Sequence, residues 1–430
     1  QTGSFGGDQA VHPPDPDLAT GRSWIVETTN STVLAFPRAG GQPLAADINL
    51  FATAPNGYAV TDPRIVFDSS NDRFYFSVLV YDPNGCNSYV VLLASPAGEN
   101  LSAPWKGGNL GDGYAAGTAT GDQPALGYSN GLVTVSWNQY QCTSGAISNT
   151  FIGSQLDVFQ KTDLLDNTIG AHSANAYING PFGIQPVQSL GSIGVQYLLY
   201  NGSLSGNADI YTFYLTGTPE QQNVQILPQN APEAEPITAT SAPAPAPQGG
   251  TTTTIDTDDD RLLNAVWQNG TIWTSSNDSC TPSGDTAARS CLNYVSETAD
   301  ASGNVTGDQQ IIYGLSGYDL YYPAVGVDSN NNMFTVFDES SATQPTSSGT
   351  PITIMVAGIN ASLGGTTLTG FATLRTSSTY YQPGDNPARW GDYLGAAQDP
   401  AHPTDVWVVG EDVEGDTGGG YCGSAQELSL

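Results

Sequence analysis

Positive charge is what this 430-residue chain has least of: 10 Lys and Arg stand against 41 Asp and Glu, a net charge of −31. Lys106 and Lys161 are the only lysines, and acid is not abundant for the length, so the imbalance is a deficit of base. A halophile would enrich carboxylates, whereas here Ser, Thr, Asn, Gln and Gly take the polar positions. So anionic a chain is repelled by nucleic acid and by anionic lipid, which argues against both as partners. Once the carboxylates protonate, only about ten positive charges remain, so self-repulsion in acid is small and an acid-adapted protein is expected. The acid-labile bonds Asp15-Pro16, Asp62-Pro63, Asp82-Pro83 and Asp399-Pro400 run against that expectation. Histidine is equally scarce: His12, His172 and His402 lack metal spacing, which argues against a zinc site or a histidine triad. No run approaches the ~20 apolar residues that cross a bilayer, so no membrane insertion is expected. The chain opens at Gln1 without a basic, apolar leader and reads as a mature, secreted, extracellular or cell-surface chain.

Cysteines number five, and none falls in a C-x-x-C pair. Outside the cell they are expected as disulfides. Cys280 and Cys291 bracket a polar loop that they can close, and Cys86 and Cys142 follow the second strands of adjacent repeats, placed to staple neighbours. Cys422 is left odd, free or intermolecular, and the oligomeric state stays open.

What the chain does have is repetition. A short polar or Asp-Pro opening leads into an apolar strand, a turn of Asp, Ser, Asn or Gly, and a second strand. The clear copies are 62–68 with 73–79, 122–127 with 132–137, and 322–328 with 333–337. With weaker ones, the starts fall at 62, 122, 186, 260, 322 and 392, steps of 60, 64, 74, 62 and 70 residues. Such a period holds four strands and their turns, the size of one propeller blade, and helical periodicity is nearly absent. The expectation is an all-β chain, one β-propeller domain over 1–430 with six blades. The N-terminal strands 23–28 and 32–36 would close the ring by pairing with C-terminal strands 392–399 and 405–411. Seven blades, with the N-terminal strands forming their own, is the alternative. The Pro/Ala/Thr-rich segment at about 229–257 reads as an extended crossing between blades.

Two of these stretches carry a resemblance. Arg389-Trp-Gly-Asp-Tyr393, with Asp399-Pro400 and then Val406-Trp407 through Glu411, resembles the closing blade of secreted bacterial exoproteins with a sialidase-like propeller outline. The segment 62–68 with Arg73-Phe74 resembles their opening blade. The resemblance implies the fold and no particular activity. The sialidase Asp-box S-x-D-x-G-x-x-W is missing, and Asp416-Thr-Gly-Gly-Gly-Tyr-Cys422 departs from the pattern at the tail.

Innermost strands of a propeller line one axial channel, so residues at the repeat starts converge. Asp62, Asp122, Asp260 and Asp392 hold such starts and are the candidate catalytic carboxylates. A ring of them suits Ca²⁺ or a division into acid and base, because like charges push pKa values apart. The competing expectation is that each caps its own turn. Arg64, Arg261 and Arg389 come from separate repeats at similar offsets and could grip a substrate carboxylate, or each could staple its own repeat. Tyr322 and Tyr393 offer faces for a sugar ring, while Trp390 and Trp407 read as core. Asp256 and Asp258 are a weaker cation candidate. Gly127-Tyr-Ser-Asn-Gly131 matches G-x-S-x-G but lies in a turn between strands, where a nucleophile elbow needs a helix. The resulting expectation is a secreted propeller that binds extracellular polysaccharide and hydrolyses it through channel-face carboxylates. A non-catalytic surface or matrix platform and an acidic-glycan lyase are the alternatives.

Overall fold

The computed structural model describes residues 13–111, 117–143, 145–166, 173–228, 233–342, 349–361, 365–414 and 422–429. His12 and His172 lie outside them, as does the side chain of Cys422. The chain is all-β and runs as seven antiparallel units, over 17–47, 59–111, 119–178, 185–236, 262–313, 319–376 and 395–429. Most are four-stranded meanders in chain order; the fourth carries a fifth strand, and three strands are described for the seventh. Gln188–Ser189 pairs in parallel with both Tyr128 and Val266–Trp267, which welds the third and fifth units into one sheet.

The first strands of the units are Asp17–Thr20, Ala59–Asp68, Ala119–Tyr128, Gln185–Pro186, Leu262–Gln268, Asp319–Val327 and Gly395–Gln398. Each packs against the next, and the last returns to the first, so they line a shared axis as in a propeller. Both faces of each unit are covered by its neighbours. Along Arg73–Tyr81, Phe74, Phe76, Val78 and Val80 pack toward the first unit while Tyr75 and Leu79 pack toward the third. The two-residue pleat thereby turns a continuous apolar run into two core layers.

The expected closure is corrected by the strand order. Trp24–Thr28 and Thr32–Pro37 pair with Asp17–Thr20 and Leu44–Asp47 in a sheet of their own and share no ladder with the C-terminal strands. Because these strands satisfy one another, the join is made by faces: Leu18, Ile25, Leu34 and Phe36 pack with Val409, and the Thr20 hydroxyl donates to the Gln398 carbonyl at 2.5 Å. The crossing after residue 229 is only partly extended. Glu233–Pro236 adds a strand to the fourth unit, while Ala246 bridges Ile255, and Ile255 bridges Ala388. Both expected disulfides form, Cys86 to Cys142 across the second and third units and Cys280 to Cys291 within the fifth.

Candidate functional site at the axial mouth

Four openings share one backbone device. Asp15, Asp62, Gln123 and Tyr322 have φ of 48°, 55°, 49° and 54°, and each stands directly before a proline. Proline disfavours the helical region for the residue before it. The ladder slips beside three of them, at 61/64, 136/138 and 321/324, as a bulge does when it turns a side chain out of the strand's alternation.

These bulges bring three carboxyls together. One oxygen from each of Asp15, Asp62 and Asp392 lies within 4.8 Å of the other two. All three residues are buried, at 1%, 5% and 7% exposure, and they belong to the openings of the first, second and seventh units. Bonds run between units around the axis. Asp392 N–H donates to Asp15 at 2.7 Å, the Asn30 amide donates to Asp15 at 2.6 Å, Asp62 N–H donates to Asn30 Oδ1 at 2.7 Å, and Gln123 N–H donates to Asp62 at 3.0 Å. The Gln123 amide reaches Asp392 at 3.3 Å. Burial, then the charges of Asp392 and Asp62, push Asp15 well above the carboxylate range; burial and then Asp392 push Asp62 up.

Less buried groups sit beside this layer. Asp122 is pushed up to about 7 by burial and then by Asp62, with Arg261 and Arg389 opposing. Asp258 is pushed to about 6 by burial against the pull of Arg261, and its Oδ2 has no partner. Arg389, half-exposed at 51%, donates to Asp392 at 2.5 Å. Arg261 is held by Asp259 at 2.5 Å and Asp258 at 3.3 Å.

The remaining expected site residues lie elsewhere or are committed to packing. Asp260 does not join the cluster: its carboxyl accepts from the Thr240 hydroxyl at 2.5 Å. Arg64 lies on the face of Tyr393, its guanidinium carbon 3.2 Å from the ring centre. Tyr393 and Tyr322 are buried, at 1% each, with hydroxyls on the carbonyls of Pro63 (2.8 Å) and Asp256 (2.9 Å), so neither offers a face to a sugar. Asp256 accepts from the N–H of Asp258 at 3.1 Å, an ordinary turn contact. Trp390 is core, bonded to Asp338 at 2.8 Å, and Trp407 is partly buried. Asp15, Asn30, Gln123 and Glu411 escaped the sequence reading. Asp15-Pro16 repeats the opening of Asp62-Pro63, and Gln123-Pro124 aligns with both, so the third repeat opens at Gln123, one residue after the expected Asp122.

Inside the mouth the axis narrows to cavities of about 20, 20 and 30 Å³ lined by such residues as Leu263, Leu394 and Ala396. Each has room for a water or two, not for a sugar ring. A wider recess of about 390 Å³ lies by the turn at 269–271, with Trp273, Glu297, Asp308 and Asn331 on its walls.

No family model and no curated protein matches the chain. Among solved structures it is similar to an α-L-arabinanase of Penicillium chrysogenum complexed with arabinobiose, at 12% identity over 99% of this chain and 96% of that one, with a TM-score of 0.41. It is also similar to an α-L-arabinofuranosidase of Fusarium graminearum (10% identity, 87% and 95% covered, TM-score 0.41) and a Hadza microbial sialidase (10%, 95% and 73%, 0.38). The likeness is one of outline.

Proposed function

We propose that this chain is a secreted, acid-adapted propeller that engages extracellular polysaccharide at its carboxyl-rich mouth and hydrolyses it there. The observation that carries the reading is the pairing of two part-exposed carboxyls, Asp122 and Asp258, about Arg261 beside the half-exposed Arg389. Asp122, neutral below about pH 7, is the proton donor to the glycosidic oxygen, and Asp258 is the second carboxyl. Arg389 contacts the substrate. The narrow axis supports a glycan lying across the mouth rather than threading it. Tyr322 and Tyr393 do not serve a lyase as base, because their hydroxyls are bonded to backbone carbonyls. A polysaccharide panel assayed at about pH 4 and pH 7 tests the reading. Asp122→Asn is expected to lower turnover by ~10²-fold or more while binding persists. Absence of turnover on every polysaccharide, or an unimpaired Asp122→Asn, removes hydrolysis.

A second reading, a non-catalytic platform, is favoured by the bonds that tie Asp15 and Asp62 to neighbouring units. It predicts glycan or protein binding that Asp122→Asn and Asp258→Asn leave unchanged.

A further inference from the structure

We propose that Asp15, Asp62 and Asp392, together with Glu411, form a calcium site that joins the first, second and seventh units at the mouth. The three carboxyls present one oxygen each within 4.8 Å of the others, the spacing of ligands about an ion bound at roughly 2.3–2.6 Å. The donors are all oxygen, and no thiolate or imidazole belongs to the group, which suits a hard cation over zinc or copper. Of the arginines, Arg389 alone is hydrogen-bonded to any of the three among the described residues, and the charge of Arg64 also acts on Asp62, so two guanidiniums stand against four acids.

Glu411 supplies the independent observation. It is 2% exposed, and neither Oε1 nor Oε2 has a hydrogen-bond partner. Its Oε1 lies 2.5 Å, and Asp15 Oδ1 3.7 Å, from the point a Cβ on Gly391 would occupy, so both carboxyls converge on the space over that glycine. Gly391 directly precedes Asp392, and any larger residue would fill the gap. A buried acid with two empty acceptors is costly unless a proton, a water or a cation satisfies it. Here it faces Asp15 across Gly391, with the charges of Asp338, Asp15 and Asp392 all acting on it, and a divalent ion between Glu411 and the three clustered carboxyls would offset that repulsion. The N–H bonds already made to Asp15 and Asp62 fix those carboxyls as outer partners fix metal ligands. The site uses the buried layer and stands whether or not the part-exposed Asp122 and Asp258 act on a glycan.

The test is titration of the chelator-treated full chain at pH 7 with CaCl₂ by calorimetry and with Tb³⁺ by luminescence, alongside thermal melts with and without Ca²⁺. One ion per chain and a higher melting temperature are expected with Ca²⁺, both weakened tenfold or more in Asp15→Asn and in Glu411→Gln. Glu411→Gln keeps the shape of the side chain, so it remains informative should Asp15→Asn fold poorly. Absence of Ca²⁺ and Tb³⁺ binding to the wild type at millimolar concentration, or undiminished binding by Glu411→Gln, overturns the proposal. The readout is binding, so it is separate from the glycan panel.

Discussion

Lys161, one of the chain's two lysines, is buried 2.8 Å from Asp68 with the ring of Tyr128 5.1 Å from its ammonium. Burial pushes Asp68 upward, but Lys161 together with the hydrogen bonds from Ser70 and Asn71 holds the carboxyl below its usual value. Lys161→Met strands that charge and is expected to cost about 3–5 kcal/mol in chemical denaturation. The double variant with Asp68→Leu is expected to recover most of the loss. At the mouth, Asp62→Ala removes the acceptor of the Gln123 N–H and is expected to cost about 1–3 kcal/mol, more than Asp62→Asn, which retains an acceptor. The arginines show how far single residues could be read. Their position beside acids was plain, and Arg389 with Asp392 and Arg261 with Asp259 do staple their own segments. Arg64 resting on Tyr393 is not legible, because the openings of units two and seven meet only where the ring closes about the first unit.

Among elements, long strands with a clear opening were legible, since alternation and turn residues are local properties. Asp17–Thr20 is not, because four residues carry no periodicity, and Asp15-Pro16 reads from sequence only as a labile bond. With this strand present, Asp15 joins the carboxyl cluster and the N-terminal strands complete a sheet of their own instead of pairing with the C-terminal ones. The one-residue slip at Asp122 has a similar cause, because a bulge adds a residue that no simple period reveals. The disulfides differ in what they enclose. Cys86 and Cys142 are 56 residues apart and Cys280 and Cys291 only 11, so loop entropy assigns about 4 and about 3 kcal/mol. Replacing the first pair with serine is expected to lower the melting temperature more than replacing the second, by calorimetry on the oxidised chain.

For the molecule as a whole, stability is expected to fall as pH rises. Burial raises Asp157 and Asp278 to about 6 and Asp338 to about 8. The folded chain therefore holds these protons more tightly than the unfolded chain, and stability is lost from about pH 4 up through those values. Asp68 and Asp399, both lowered, act oppositely and lose their contribution as pH falls below about 4. Melting curves should peak near pH 4 and drop by pH 8, and Asp338→Asn should flatten the upper limb. A flat profile would remove the acid-adapted reading. Ring closure has a further consequence. Asp15 receives its bond from the N–H of Asp392, 377 residues downstream. During synthesis Asp15 therefore has only Asn30 for a partner until that distant opening has been made.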